Sequence, residues 1–121
     1  MSRRTERIGE QIRAELARLL REEVTDPRIG LVTLTRVDVA PDLGNAKIYW
    51  SRVGQRGEDD AADELRAGEG LASAAGFLRR KLARALPLKR VPELRFRRDP
   101  SLVLGSETLT LLRELRDGPP E

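Results

Sequence analysis

The chain has 121 residues, 39% of them hydrophobic and 36% charged, with a net charge of only +3, which suits one domain around a single modest core. It contains neither cysteine nor histidine, so disulfides and thiolate metal sites are excluded and the commonest general base and metal ligand are missing. No apolar run approaches the roughly 20 residues that span a bilayer, and the opening MSRRTERIGE is no secretory signal, so a soluble cytoplasmic protein is expected.

In chain order, Ile8, Ile12, Leu16, Leu19, Leu20 and Val24 recur at helical spacing with Arg and Glu between them, which predicts an amphipathic helix over 5–24. Pro27 and Gly30 in TDPRIG stop it. LVTLTRVDVA is rich in β-branched residues and predicts a strand. Its apolar parity changes between Val32/Leu34 and Val37/Val39, so a bulge is expected near Thr35–Arg36. The turn APDLGN leads to AKIYWSRV, where Ala46, Ile48 and Trp50 alternate with Lys47, Tyr49 and Ser51, and the two strands make a hairpin. The acidic run up to Gly70 is expected to be a loop entering a helix around Asp59–Ala61, weakened by Gly68 and Gly70. From Leu71 the stripe Leu71, Ala75, Leu78, Leu82 and Ala85/Leu86 is firmly helical, until Pro87 stops it. ELRFRR alternates as a third strand, SETLTLLRELR reads as a short final helix with Ser106 as N-cap, and the end is frayed over 118–121. The expected fold is α+β, one sheet with helices on one face, in a single domain over 1–117 with one core built from Ile12, Leu16, Leu34, Ile48, Trp50, Leu78, Leu82 and Phe96.

Charge is unevenly spread. Residues 71–98 hold nine Lys/Arg and one acid, Glu93, whereas 54–70 and 99–121 are net acidic by 4 and 3 charges. A basic block between acidic segments suits a polyanion partner better than a merely solvated surface. Only four residues are aromatic, and of these Tyr49 alone is expected to be exposed, so base stacking is a poor candidate for the main binding mode. Asp59, Asp60, Asp63 and Glu64 are better read as acids favoured at a helix N-terminus than as a magnesium site.

The stretches VTDPRIGLVTLTRVDVAPDLGNAKIYWS and AAGFLRRKLARALPLKRVPELRFRRDPSLVLG, in this order and spacing, resemble the ribosome-binding factor A family over residues 3 to about 116. The resemblance implies a K-homology-like fold of type II order, α-β-β-α-kink-α-β, with a three-stranded sheet and a short C-terminal helix. In ordinary K-homology domains a Gly-x-x-Gly loop between helices approaches the nucleic-acid backbone. The family has an interhelical Ala-x-Gly kink instead, matched by Ala74-Ala75-Gly76, and the literal Gly54-Gln55-Arg56-Gly57 follows a strand and is a decoy. The family implies a monomeric, non-enzymatic assembly factor that binds the small (30S) ribosomal subunit near the decoding region of its RNA and supports late processing of that RNA. No cofactor, metal, membrane or small-molecule substrate is implied. Two features depart from the family: the acidic, glycine-containing 54–70 segment, and an end soon after the last helix, where any role of a longer tail is expected to be absent.

On a helix through Gly76, positions 76, 80 and 84 share one strip opposite Leu78 and Leu82, where Arg80 and Arg84 line up with backbone left bare by the glycine. The glycine is expected to mark a bend that leaves no room for a side chain. The candidate RNA-binding residues are therefore Ala74, Ala75, Gly76, Arg79, Arg80, Lys81, Arg84, Lys89, Arg90, Arg95, Arg97 and Arg98. The alternatives are a free-standing module for single-stranded RNA, which should carry Gly-x-x-Gly between helices, and a protein-interaction adaptor using the acidic segments.

Overall fold

A computed structural model describes residues 2–52 and 60–99. The Gly54–Gly57 decoy, Asp59, the side chain of Asp60, the expected final helix with Ser106, and the frayed end at 118–121 lie outside the described residues. The order is α1 (Arg3–Glu22), β1 (Val32–Val39), β2 (Asn45–Arg52), α2 (Asp60–Ala85) and β3 (Glu93–Arg98).

Helix α1 starts where Ser2 caps it: the Ser2 hydroxyl accepts from the Thr5 amide at 3.2 Å, satisfying a donor that would otherwise be unpaired. The chain leaves the helix through a turn in which Asp26 accepts from the Arg28 amide at 2.9 Å and Gly30 takes φ of 62°, a conformation that favours glycine. Strands β1 and β2 pair antiparallel, and the register slips between Leu34 and Arg36. That is the bulge expected from the parity change, and it lets Leu34, Val37 and Val39 all face the core. Beyond the hairpin, β3 pairs parallel with β2, giving the order β1-β2-β3.

The core gathers Ile8, Ile12, Leu16 and Leu19 of α1, Ala67, Leu71, Leu78 and Leu82 of α2, and Leu34, Ile48, Trp50 and Leu94 of the sheet. Phe96, expected in the core, is only partly buried, because β3 is an edge strand and no further strand among the described residues covers its outer margin. At the end of β3 the Asp99 amide donates to Trp50 O at 2.7 Å, and Thr35 and Asp99 share a hydrogen bond of 2.5 Å between Oγ1 and Oδ2. The bulge and the end of β3 are thereby tied together, and Asp99 is buried without being unpartnered.

In place of the two helices expected on either side of a bend at Gly76, α2 runs unbroken for 26 residues through Gly68, Gly70 and Gly76. The reason is burial. Leu71, Leu78 and Leu82 are completely buried on both sides of Gly76, and a continuous apolar stripe outweighs one glycine's local cost of about 1 kcal/mol. Nor is Gly76 crowded, since a Cβ built there would meet only Arg80 Nη1, at 3.7 Å. Crowding occurs at two other glycines. A Cβ on Gly9 would lie 2.7 Å from Val37 O, and one on Gly70 would lie 2.7 Å from Ile29 Cγ1, so these are the positions where α1 meets β1 and α2 meets the turn after α1. Among the described residues no helix is long and apolar enough to cross a membrane.

Candidate nucleic-acid interface

Helix α2 and edge strand β3 border an open groove of about 550 Å³, lined by Gly68, Ala72, Ala75 and Gly76 on the helix side and by Leu94, Arg95, Phe96 and Arg97 on the strand side. Small residues on the helix leave its backbone near the surface, and alternation along β3 turns Arg95 and Arg97 outward. Arg79, which also lines the groove, ties α2 to the segment before β3: its Nε and Nη2 donate to Val91 O at 3.2 and 2.9 Å. Ala74 and Ala75 pack against the core and Gly76 is exposed. Arg80 and Arg84 are both exposed on the same strip as Gly76, and neither has an ion pair among the described residues.

The outer face of the sheet continues this positive surface. In register, Lys47 lies beside Arg95 and Tyr49 beside Arg97, while Arg36 lies opposite Tyr49 on the other side. The Arg36 guanidinium sits 4.2 Å from the Tyr49 ring centroid. A side-chain hydrogen bond with Tyr49 raises the Arg36 pKa above its ordinary value. Tyr49 is half-buried under this cation and offers no free ring face on that side for a base.

The twelve sequence candidates do not form one surface. Lys81 points to the other helix, with Nζ 3.1 Å from Glu23 Oε1 and 5.5 Å from the Phe77 ring centroid. Arg98 is occupied by Glu64, at 3.0 Å from Nε to Oε1, and Arg95 is more loosely met by Glu93 at 3.8 Å. Lys89 and Arg90 lie beyond the end of α2, in a separate cleft with Arg3, Arg4 and Arg7 of α1. Sequence reasoning missed those three arginines as candidates. The sequence carries only part of their signal: Arg3 and Arg7 stand four apart on one helix face, but Glu6 and Glu10 follow them at pairing distance, and it is the fold that pairs Arg13 with Glu10 and Arg18 with Glu15 and Glu22 instead.

A three-stranded mixed sheet backed by two helices, with an arginine-lined groove between a helix and an edge strand, defines a small α+β domain with a cationic surface. Comparison with known proteins narrows the class. Residues 4–112 match the family described as Ribosome-binding factor A, and the chain belongs to that family. Proteins of that name from Pseudomonas syringae pv. tomato and Pseudomonas entomophila are 48% and 49% identical to it over 109 residues, covering 90% of this chain and 77% and 80% of theirs. Among solved structures, ribosome-binding factor A from Thermus thermophilus superposes with a TM-score of 0.66 at 24% identity, over 78% of this chain and 93% of that one. A Thermotoga maritima protein described as a putative ribosome binding factor A gives 0.63 at 30% identity, over 80% and 88%. A homology model of the Thermus thermophilus factor, as fitted into a cryo-electron-microscopy map of a complex with the 30S subunit, gives 0.59 at 25% identity, over 76% and 91%.

Proposed function

We propose that this protein is a ribosome-assembly factor that binds the small (30S) subunit through its ribosomal RNA, near the decoding region, and supports late maturation and processing of that RNA. Family membership and the relative fitted into a 30S complex support the subunit as partner. The observation that carries RNA as the ligand is the strip Gly76–Arg80–Arg84 beside the groove with Arg79 and Arg97: exposed cations next to accessible backbone. Such a surface reads phosphates and shape rather than base identity. The covered Tyr49 ring and the partly buried Phe77 and Phe96 speak against a module that holds single strands by stacking. The protein acts in the cytoplasm as a single-domain monomer and catalyses no reaction; a chain without histidine or cysteine suits binding better than chemistry.

The test is co-sedimentation with purified 30S subunits and with 70S ribosomes over a salt series. Binding to 30S should exceed binding to 70S and fall steeply with salt, as counterion release requires. Reversing charge at Arg80→Glu and Arg84→Glu should weaken it on the order of tenfold or more. Undiminished co-sedimentation of that variant would remove the α2 strip from the interface.

A further inference from the structure

The cleft beyond the C-terminal end of α2 has no role in the reading above. It holds about 750 Å³ and is lined by Arg3, Arg4, Arg7 and Ile8 of α1, Asp42 and Leu43 of the β1–β2 turn, and Pro87, Leu88, Lys89 and Arg90 after α2. Five cations from two remote parts of the chain therefore face one acid. No ion pair engages any of the five among the described residues, and Asp42 is occupied with the Gly44 amide at 2.9 Å.

The placement of three of these cations works against the fold. Arg3, Arg4 and Arg7 occupy the first turns of α1, where the positive end of the helix dipole disfavours cations. Further along the same helix, Arg13 and Arg18 have glutamate partners. The floor of the cleft is rigid: Leu43 is held at φ of 60° with its amide donating to Ala40 O at 2.8 Å, and its side chain packs against the core with that of Leu88. A non-glycine residue kept in the left-handed region marks a turn whose shape is maintained by its surroundings.

We propose that this cleft is a second phosphodiester-binding site, which takes a segment of RNA backbone separate from the one on the α2 strip. The inference rests on the RNA-binding reading above. RNA is favoured over an acidic peptide because no strand residue lines the cleft, so there is no sheet edge with which a peptide could pair. What remains is unpaired guanidinium and ammonium charge over an apolar floor, which suits phosphates. Lys89 and Arg90 follow α2 by only a few residues, so the two sites lie along one path, from the exposed strip around the helix end.

The test combines thermal melts with binding of the full chain to purified 30S subunits and to a twelve-residue oligouridylate. In the triple variant Arg3→Glu, Arg4→Glu, Arg7→Glu the melting temperature should stay or rise, because acids suit that helix end. Affinity for both probes should fall on the order of tenfold, with the salt slope shallower by about 2. Wild-type affinity and slope in the triple variant would overturn the cleft while leaving the α2 interface standing. Loss of subunit binding with oligouridylate binding intact would mean that the cleft faces a subunit protein, and would overturn the RNA assignment. Should the wild type fail to bind subunits, the function proposed above falls, and the oligonucleotide alone decides the cleft. If the glutamates lower the melting temperature, the triple Gln variant replaces them, and unchanged binding there would equally refute the site.

Discussion

Substituting alanine at Gly9 and, separately, at Gly76 applies one chemical change to two helix interiors and should move stability in opposite directions. Alanine is the better helix former by about 1 kcal/mol at either position. At Gly76 nothing opposes that gain, because the nearest atom to the new methyl is the flexible end of Arg80 at 3.7 Å. At Gly9 the methyl would lie 2.7 Å from Val37 O, 3.6 Å from Val37 C and 3.6 Å from Val39 Cγ2. A carbonyl within a paired strand cannot swing aside, so α1 must back away from β1 and loosen the contacts of Ile8 and Ile12. Overpacking of this kind costs about 1–3 kcal/mol, which leaves Gly9→Ala less stable by up to about 2 kcal/mol after the helix gain of about 1 kcal/mol. Gly76→Ala should be more stable by about 0.5–1 kcal/mol. For a domain of this length 1 kcal/mol corresponds to about 4 °C in Tm. Thermal and urea unfolding followed by circular dichroism would measure both. A Gly9→Ala protein that melts at or above the wild type, or a Gly76→Ala protein that melts below it, would refute the packing argument.

Two further outcomes follow from burial and charge. Trp50, the single tryptophan and only 4% exposed, should emit at short wavelength in the native protein and shift red on unfolding; native emission typical of exposed indole would contradict the strand phase. With no histidine, stability should be nearly flat from about pH 5.5 to 8. It should then decline as pH falls below about 4.5, because hydrogen bonds from arginines hold the pKa values of Glu10, Glu15 and Asp26 below their ordinary 4.5, 4.5 and 3.8. Groups whose pKa is lowered by folding contribute stability above their unfolded pKa and lose it as they protonate. An equilibrium denaturant series at several pH values checks the profile, and a loss centred near the histidine range, about pH 6, would contradict it.

Local signals in the sequence proved reliable where the partner was also local. The parity change in β1 predicted the bulge, because alternation along one strand determines which residues face the core. The hairpin, the start of α2 near Asp59–Ala61 and seven of the eight most obvious core positions, all but Phe96, followed from the same reasoning. Errors arose where the decisive neighbour was remote in sequence. Gly76 looked special because it interrupts a helical pattern, yet the crowded glycines are Gly9 and Gly70, whose partners Val37 and Ile29 lie 28 and 41 residues away. Lys81 and Arg98 counted as free cations until Glu23 and Glu64 met them across the fold. Arg3, Arg4 and Arg7 disappeared into a nearly neutral N-terminal segment, because a charge count does not tell which glutamates are already paired.

The parallel pairing of β3 has a consequence for how the chain reaches this state. The β1–β2 hairpin closes across five residues, and α1 can settle on it as soon as the hairpin exists. Strand β3 must return to β2 from beyond the whole of α2, pairing Asn45 with Glu93, and Asp99 then bonds Thr35 across 64 positions. Closing a loop of that length carries an entropic cost before any contact repays it. During synthesis, the hairpin and α1 leave the translation machinery well before the strand that completes their sheet. Until then β2 presents an open edge, and the apolar faces destined for α2 and Leu94 are uncovered. A factor that belongs to a ribosome-binding family therefore carries an incomplete sheet through its own translation from the end of β2 until β3 has followed α2.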